Sequence, residues 1–266
     1  MRARKLKKIL KWLIIIYLIA GLLDSIERTT DSRRPENTPA TTVESTVRTV
    51  TTNTSNKTGE TKKQKQTSFS LENIPDYSGT LAVIVNNNKT YFTKKQMTAK
   101  PVEEYSELDS LGRCGTAYAS ICKELMPTEE RGAIGMVKPS GWHNAKYAGI
   151  DGNYIYNRCH LIAYMLAGEN ANEKNLITGT RMFNTEGMLP YEITIANYIQ
   201  DNPENHVMYR VTPIFHKEEL VARGVLMEAK SVEDNGALEF CVFVYNVQPG
   251  CKIDYATGYT SGPAYE

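Results

Sequence analysis

A chain of 266 residues, 41% of them hydrophobic, has room for one sizeable domain plus appendages. Its net charge of +1 is unevenly placed: residues 1–66 hold 14 Lys/Arg against 6 Asp/Glu, and residues 67–266 hold 17 against 24. This excludes a folded part that captures polyanions by bulk charge, so any nucleic-acid chemistry needs a local basic site and a cation.

The chain opens on a basic flank, Arg2, Arg4, Lys5, Lys7, Lys8 and Lys11, followed by an apolar run from Trp12 to Leu23. Twelve apolar residues are short of the roughly 20 that span a bilayer. Ile9, Leu10 and Ile26, with a snorkelling Lys11, lengthen the stretch. Residues 1–27 read as an uncleaved signal anchor, with a cleaved signal peptide as the alternative. Either way the positive flank stays cytoplasmic and the remainder lies outside, at the cell membrane or secreted. Residues 28–68 are rich in Thr, Ser, Asn, Lys and Arg and poor in large apolar groups, so they read as a disordered basic stalk. Residues 69–266 form the folded domain.

Within that domain Leu81–Val85 reads as a buried strand, Asn86–Lys89 as a turn and Thr90–Phe92 as a returning strand. Residues 115–125 suit a helix ending before Pro127. On that helix Cys114 and Cys122 would lie about 12 Å apart, too far to bridge. Cys241 and Cys251 could close a short disulfide loop, and no Cys-x-x-Cys pair points to structural zinc. Lys138–Trp142 is a turn-rich loop. Tyr154–Tyr156 and Leu176–Thr178 are short strands, and 191–200 is a helix with Pro190 at its start. Three β runs follow, His206–Ile214, Leu220–Ser231 and Leu238–Val247. The fold class is α+β, an antiparallel sheet with helices packed on it.

The chemistry-bearing residues cluster between these elements. If 157–162 is extended, Arg158 and His160 share one face and Asn157 and Cys159 the other. That sets a phosphate clamp beside a general base. It also separates Cys159 from His160, which removes a thiol–imidazole dyad. Asn184 can be a helix N-cap or a single hard-oxygen ligand for Mg²⁺, which keeps several waters. Glu192 can be a first-turn helix carboxylate or a group that orders those waters. Arg181 can be a second phosphate contact or a plain ion pair.

The order Asn157-Arg158-Cys159-His160, with Asn184 24 residues after His160 and Glu192 eight further on, resembles the DNA/RNA non-specific endonucleases of the His-metal (ββα-metal) class. Five further segments look like streptococcal-type secreted and DNA-entry nucleases: Leu108–Arg113, Lys138–Trp142, Tyr209–Pro213, Asn246–Gly250 and Ile253–Gly258. The resemblance implies a ββα-metal core, His160 as general base and Arg158 on phosphate. It implies Asn184 on Mg²⁺, with Mn²⁺ as a substitute, and less securely Glu192 as the downstream carboxylate. It also implies hydrolysis of DNA, with RNA left open, to 5′-phosphate ends. That family usually reads Asp-Arg-Gly-His, so Asn157 and Cys159 are departures. A nuclease-like domain that holds DNA at the cell surface without cutting is the alternative reading.

Overall fold

The computed structural model describes residues 69–265. The signal-anchor and stalk readings of 1–68 lie outside the described residues. Six antiparallel strands make the main sheet: β1 (Ala82–Ile84), β2 (Val102–Tyr105), β3 (Ala117–Ile121), β6 (Val207–Ile214), β7 (Gly224–Ser231) and β8 (Glu239–Tyr245). Their spatial order is β1-β8-β7-β6-β3-β2. A separate hairpin pairs β4 (Tyr156–His160) with β5 (Leu176–Thr180), and a short ribbon pairs β9 (Lys252–Ile253) with β10 (Thr260–Ser261). Helix α1 (Tyr164–Ala167) interrupts the hairpin connection. A π-helical stretch, Phe183–Met188, follows β5 and runs into α2 (Leu189–Asp201), which carries proline in its first turn.

Alternation along β6 sends Val207, Tyr209 and Val211 to one face of the sheet. They meet Ile195 and Ile199 of α2, Leu166 of α1 and Cys159, Leu161 and Ile177 of the hairpin region in one apolar cluster. Fully burying a side chain of this size contributes about 1.5–3 kcal/mol. The opposite face carries Leu226, Cys241, Phe243 and Tyr245, covered by Phe69, Leu71, Ile74 and Tyr77.

Three expectations change. Residues 117–121 are a strand and not part of a helix. Ala117, Ala119 and Ile121 are buried at period two, and β3 is bonded on both sides, to β2 and β6. Cross-strand pairing overrides the helix preference of alanine. Residues 90–92 do not return as a strand. Asn86, Asn87 and Asn88 all take positive φ, the turn forms, and β1 pairs with β8 instead. The backbone N–H groups of Thr90 and Tyr91 donate to the Glu239 and Glu228 carboxylates at 3.2 and 2.7 Å. Finally, Cys241 and Cys251 are both free thiols. Cys241 packs on the far face of the sheet and Cys251 beside the ribbon, in separate clusters.

Side-chain amides satisfy the backbone around the β4–β5 hairpin, and one of them, Asn246, ties it to the main sheet. Asn246 is fully buried and accepts from Thr180 N–H at 2.9 Å, while its Nδ2 donates to the carbonyls of Thr178 and Ala222 at 3.1 and 2.9 Å. Asn175, equally buried, pairs with both the N–H and the C=O of Ile162. Asn144 does the same for Tyr156. Each amide supplies a donor and an acceptor where a neighbouring strand would. Asn246→Ala should strand buried backbone groups on β5 and lower stability by about 2–5 kcal/mol. Urea unfolding of the variant measures this, and an unchanged midpoint would show the amide to be dispensable.

Cys159 adds bulk between the strands, and Gly179 leaves the room. A Cβ on Gly179 would come within 2.5 Å of Cys159 Sγ and 2.6 Å of the Phe183 ring. Gly179→Ala should therefore cost about 1–3 kcal/mol. Combining it with Cys159→Ala should restore part of the loss. Strictly additive effects in thermal unfolding would mean the two positions do not share that space.

Candidate active site

The hairpin, the π segment and the coil before β4 enclose a cavity of about 620 Å³. His160, Asn184, Glu192, Arg158 and Arg181 all line it, so the five residues singled out in the sequence come together. His160 is the last residue of β4 and is only 7% exposed. Its Nε2 lies 2.7 Å from the carbonyl oxygen of Asn170. A carbonyl can only accept, so Nε2 carries the proton and Nδ1 keeps its lone pair. Nδ1 faces Arg131 Nη2 at 3.3 Å. Burial, aided by the Arg131 charge and opposed by the Asn170 carbonyl, lowers the imidazole pKa to about 4. The ring is neutral at pH 7.

Asn184 sits second in the π segment, where Leu189 N–H donates to its backbone carbonyl. Its side-chain amide makes no hydrogen bond among the described residues and lines the cavity. Eight α-helical residues turn about 80° past two full turns. The wider π turn takes up part of that rotation, so Asn184 and Glu192 reach the same cavity. Glu192 belongs to the inward stripe Glu192, Ile195, Ala196 and Ile199 of α2. Its carboxyl makes no hydrogen bond or ion pair among the described residues. Burial raises its pKa to about 8, against the opposing pull of Arg131.

The arginines differ. The Arg158 Nε donates to the Val137 carbonyl and its Nη2 to that of Gly135 at 2.8 Å, and the guanidinium lies 4.2 Å over the Trp142 ring. Arg158 therefore braces the 135–137 loop, with Nη1 unpaired among the described residues. Arg181 donates to Asp151 Oδ2 at 2.6 Å from Nη2 and 3.2 Å from Nε. Asp151 is 82% exposed, so this ion pair contributes little and exchanges readily. Arg131 was not singled out in the sequence. It reaches the cavity from the irregular stretch between β3 and β4, and its contact with His160 is its one hydrogen bond among the described residues. The run Thr128-Glu129-Glu130-Arg131 has no spacing that marks it. Cys159 is fully buried, and burial with the nearby Glu192 charge pushes its thiol far up, so it is inert.

No three His, Cys, Asp or Glu side chains gather as a metal site among the described residues. The donor set at the cavity is instead an unpaired amide oxygen with an uncompensated carboxyl behind it. Hard oxygen donors in small number suit a hard, largely hydrated divalent cation.

A hairpin bearing a neutral histidine is thus followed by a helical segment that presents an amide and a carboxyl to the same cavity. The description DNA/RNA non-specific endonuclease matches residues 91–233, more than half of the chain, and the chain belongs to that family. A deoxyribonuclease from Streptococcus dysgalactiae subsp. equisimilis is 34% identical over 110 residues, 40% of this chain. The chain spans 33% of the length of that relative. NucA from Streptococcus agalactiae, in a crystal structure with magnesium ion bound, is 29% identical. It aligns over 66% of this chain and 84% of its own, with a TM-score of 0.59. Sda1 nuclease with bound zinc ion is 28% identical over 62% of this chain and 82% of its own, with a TM-score of 0.51.

The His160 shift has a consequence for stability. The unfolded imidazole protonates near 6.5 and the folded one near 4, so the unfolded state binds more protons between these values. Stability then falls as pH drops through that window, by on the order of 3 kcal/mol in full. Ring NMR signals of His160 should remain those of the neutral Nε2–H tautomer down to about pH 5. A titration midpoint near 6.5 would contradict the buried, Asn170-bound ring.

Proposed function

We propose that this chain is a Mg²⁺-dependent endonuclease that hydrolyses phosphodiester bonds of DNA outside the cytoplasm. The observation that carries the reading is the convergence of a neutral His160, the unpaired Asn184 amide, the Glu192 carboxyl and Arg131 on one cavity. His160 Nδ1 takes a proton from water, whose oxygen attacks phosphorus in line with the leaving 3′ oxygen; the P–O3′ bond breaks, the 3′ oxygen takes a proton from solvent, and a 5′-phosphate and a 3′-hydroxyl result. Nε2–H stays on the Asn170 carbonyl and holds the ring in place. Arg131 turns from Nδ1 to a non-bridging phosphate oxygen, which frees the base as substrate arrives. Arg181 exchanges Asp151 for phosphate in the same manner, and Arg158 offers Nη1 while bracing the loop. Asn184 would hold a hard cation and Glu192 would order the water around it, and the cation would supply positive charge at the reacting phosphate. The bound magnesium in the NucA structure, whose sequence is 29% identical, supports the choice of metal. None of these groups reads a base, so sequence preference is weak. RNA offers the same phosphodiester.

Plasmid nicking with Mg²⁺ and an EDTA control tests the activity. Binding without nicking would favour the alternative, a domain that only holds DNA. His160→Ala should lose about 10²–10⁴ of the rate with little change in DNA binding. Asn184→Ala should lower activity and shift the Mg²⁺ titration to higher concentration. A wild-type titration curve in that variant would remove Asn184 as the ligand. Degradation of added DNA by intact cells, set against that by the culture supernatant, tests the extracellular placement and separates anchored from released protein.

A further inference from the structure

Aromatic side chains gather beside the catalytic cavity, and no step of the hydrolysis uses them. Tyr154 is 48% exposed and lines the cavity itself. The Lys146 ammonium lies 5.0 Å from the Tyr154 ring and 5.2 Å from that of Tyr265, and it makes no salt bridge among the described residues. His143, between the cavity-lining Trp142 and Asn144 in the chain, stacks on Tyr259 with centroids 4.0 Å apart and planes 15° from parallel. Tyr259 is nonetheless 62% exposed. One face of its ring is backed by imidazole and the rest is open to solvent.

This placement is rigid. The turn between β9 and β10 is closed by Gly258 N–H to the Asp254 carbonyl at 2.7 Å and Asp254 N–H to the Tyr259 carbonyl at 2.9 Å. The Asp254 carboxylate is taken up by Ala256 N–H and the Thr257 hydroxyl. Gly258 packs so closely on Gly141 that a Cβ there would lie 1.8 Å from the Gly141 carbonyl oxygen. That contact sets the turn against Trp142 and His143, and Trp142 and Asn144 both line the catalytic cavity.

Two exposed rings, one backed by imidazole and one by an ammonium that makes no salt bridge among the described residues, suit a partner with flat π faces and a negatively charged backbone. In a duplex the base faces are hidden in the stack, and in a single strand they are open. We infer that the His143–Tyr259 stack, with Tyr154 and Lys146, is a docking platform for unpaired bases of single-stranded DNA whose backbone enters the catalytic cavity. The inference rests on the nuclease reading for that last clause. It predicts that single-stranded substrate is held by more than phosphate contacts.

The test uses the full chain and its Tyr259→Ala and Tyr259→Phe variants. Fluorescence anisotropy in EDTA measures binding of an oligo-dT strand, of an abasic strand of equal length and of a duplex. Tyr259→Ala should weaken oligo-dT binding by about five- to hundredfold, the usual worth of one base–aromatic stack. Abasic-strand and duplex binding should change far less. Tyr259→Phe keeps the ring and should bind oligo-dT as wild type does. With Mg²⁺ present, the ratio of kcat/KM on single-stranded to duplex DNA should fall in Tyr259→Ala. Equal losses on oligo-dT and on the abasic strand, or no loss on either, would overturn the platform. A wild-type protein that cleaves nothing would sink the nuclease reading, and the dT-to-abasic comparison would still decide the platform.

Discussion

The site depends on three asparagine amides, two of them fully buried, that satisfy the backbone of a two-stranded hairpin where it has no strand beside it. A hairpin alone is marginally stable in water, and both its edges present unpaired backbone groups. Here Asn144 meets Tyr156 at one end of β4, Asn175 meets Ile162 just past its other end, and Asn246 meets Thr178 and Thr180 on β5. An amide satisfies the same donors and acceptors at one point only. His160 ends β4, and the helical segment bearing Asn184 begins just after β5, so both inherit their positions from these contacts.

Burial then sets the protonation of the site in two opposite senses. It holds His160 neutral by lowering its pKa, and it raises that of Glu192. Arg131 faces both groups, pushing the histidine further down and pulling the carboxyl back. A domain with 24 acidic against 17 basic residues gains no help from bulk charge. Its positive charge near the scissile bond is carried by three arginines at the cavity, each held by a different kind of contact. Arg158 is fixed by two carbonyls and an indole, Arg181 by an exposed carboxylate, and Arg131 by one long hydrogen bond to the base. The last two are the cheaper to move, and the proposed mechanism uses that by passing them to phosphate.

Much of this was legible in the sequence because period-two and period-3.6 patterns follow burial. The alternation of Val207, Tyr209 and Val211 marked β6, and Pro190 marked the start of α2. Strand β3 was misread because Ala117 and Ala119 favour helix in isolation, and only pairing on both edges makes them strand. The 90–92 segment was misread because its turn is real while its partner is not the preceding strand: carboxylates of β7 and β8 take its N–H groups. Arg131 left no trace, since it comes from an irregular stretch and acts only through where the chain happens to pass. The aromatic rim was illegible for the same reason: His143 and Tyr259 lie 116 positions apart and are joined by the close approach of Gly141 and Gly258.

The cysteine in place of the usual motif glycine is a departure that the packing accommodates. Glycine would be required there only if the backbone took a positive φ or another chain came too close. Cys159 lies within β4, paired with Ile177, and is not among the positive-φ residues. Its side chain packs in the apolar cluster and does not line the cavity that His160 lines. The space it occupies is the space Gly179 leaves open on the facing strand. The thiol is thus a packing group behind the base. Since Asn157 on the cavity wall carries no charge, the only carboxyl buried in the cavity is Glu192. The charges of the site are that carboxyl, the exposed Asp151 paired with Arg181, and the arginines around them.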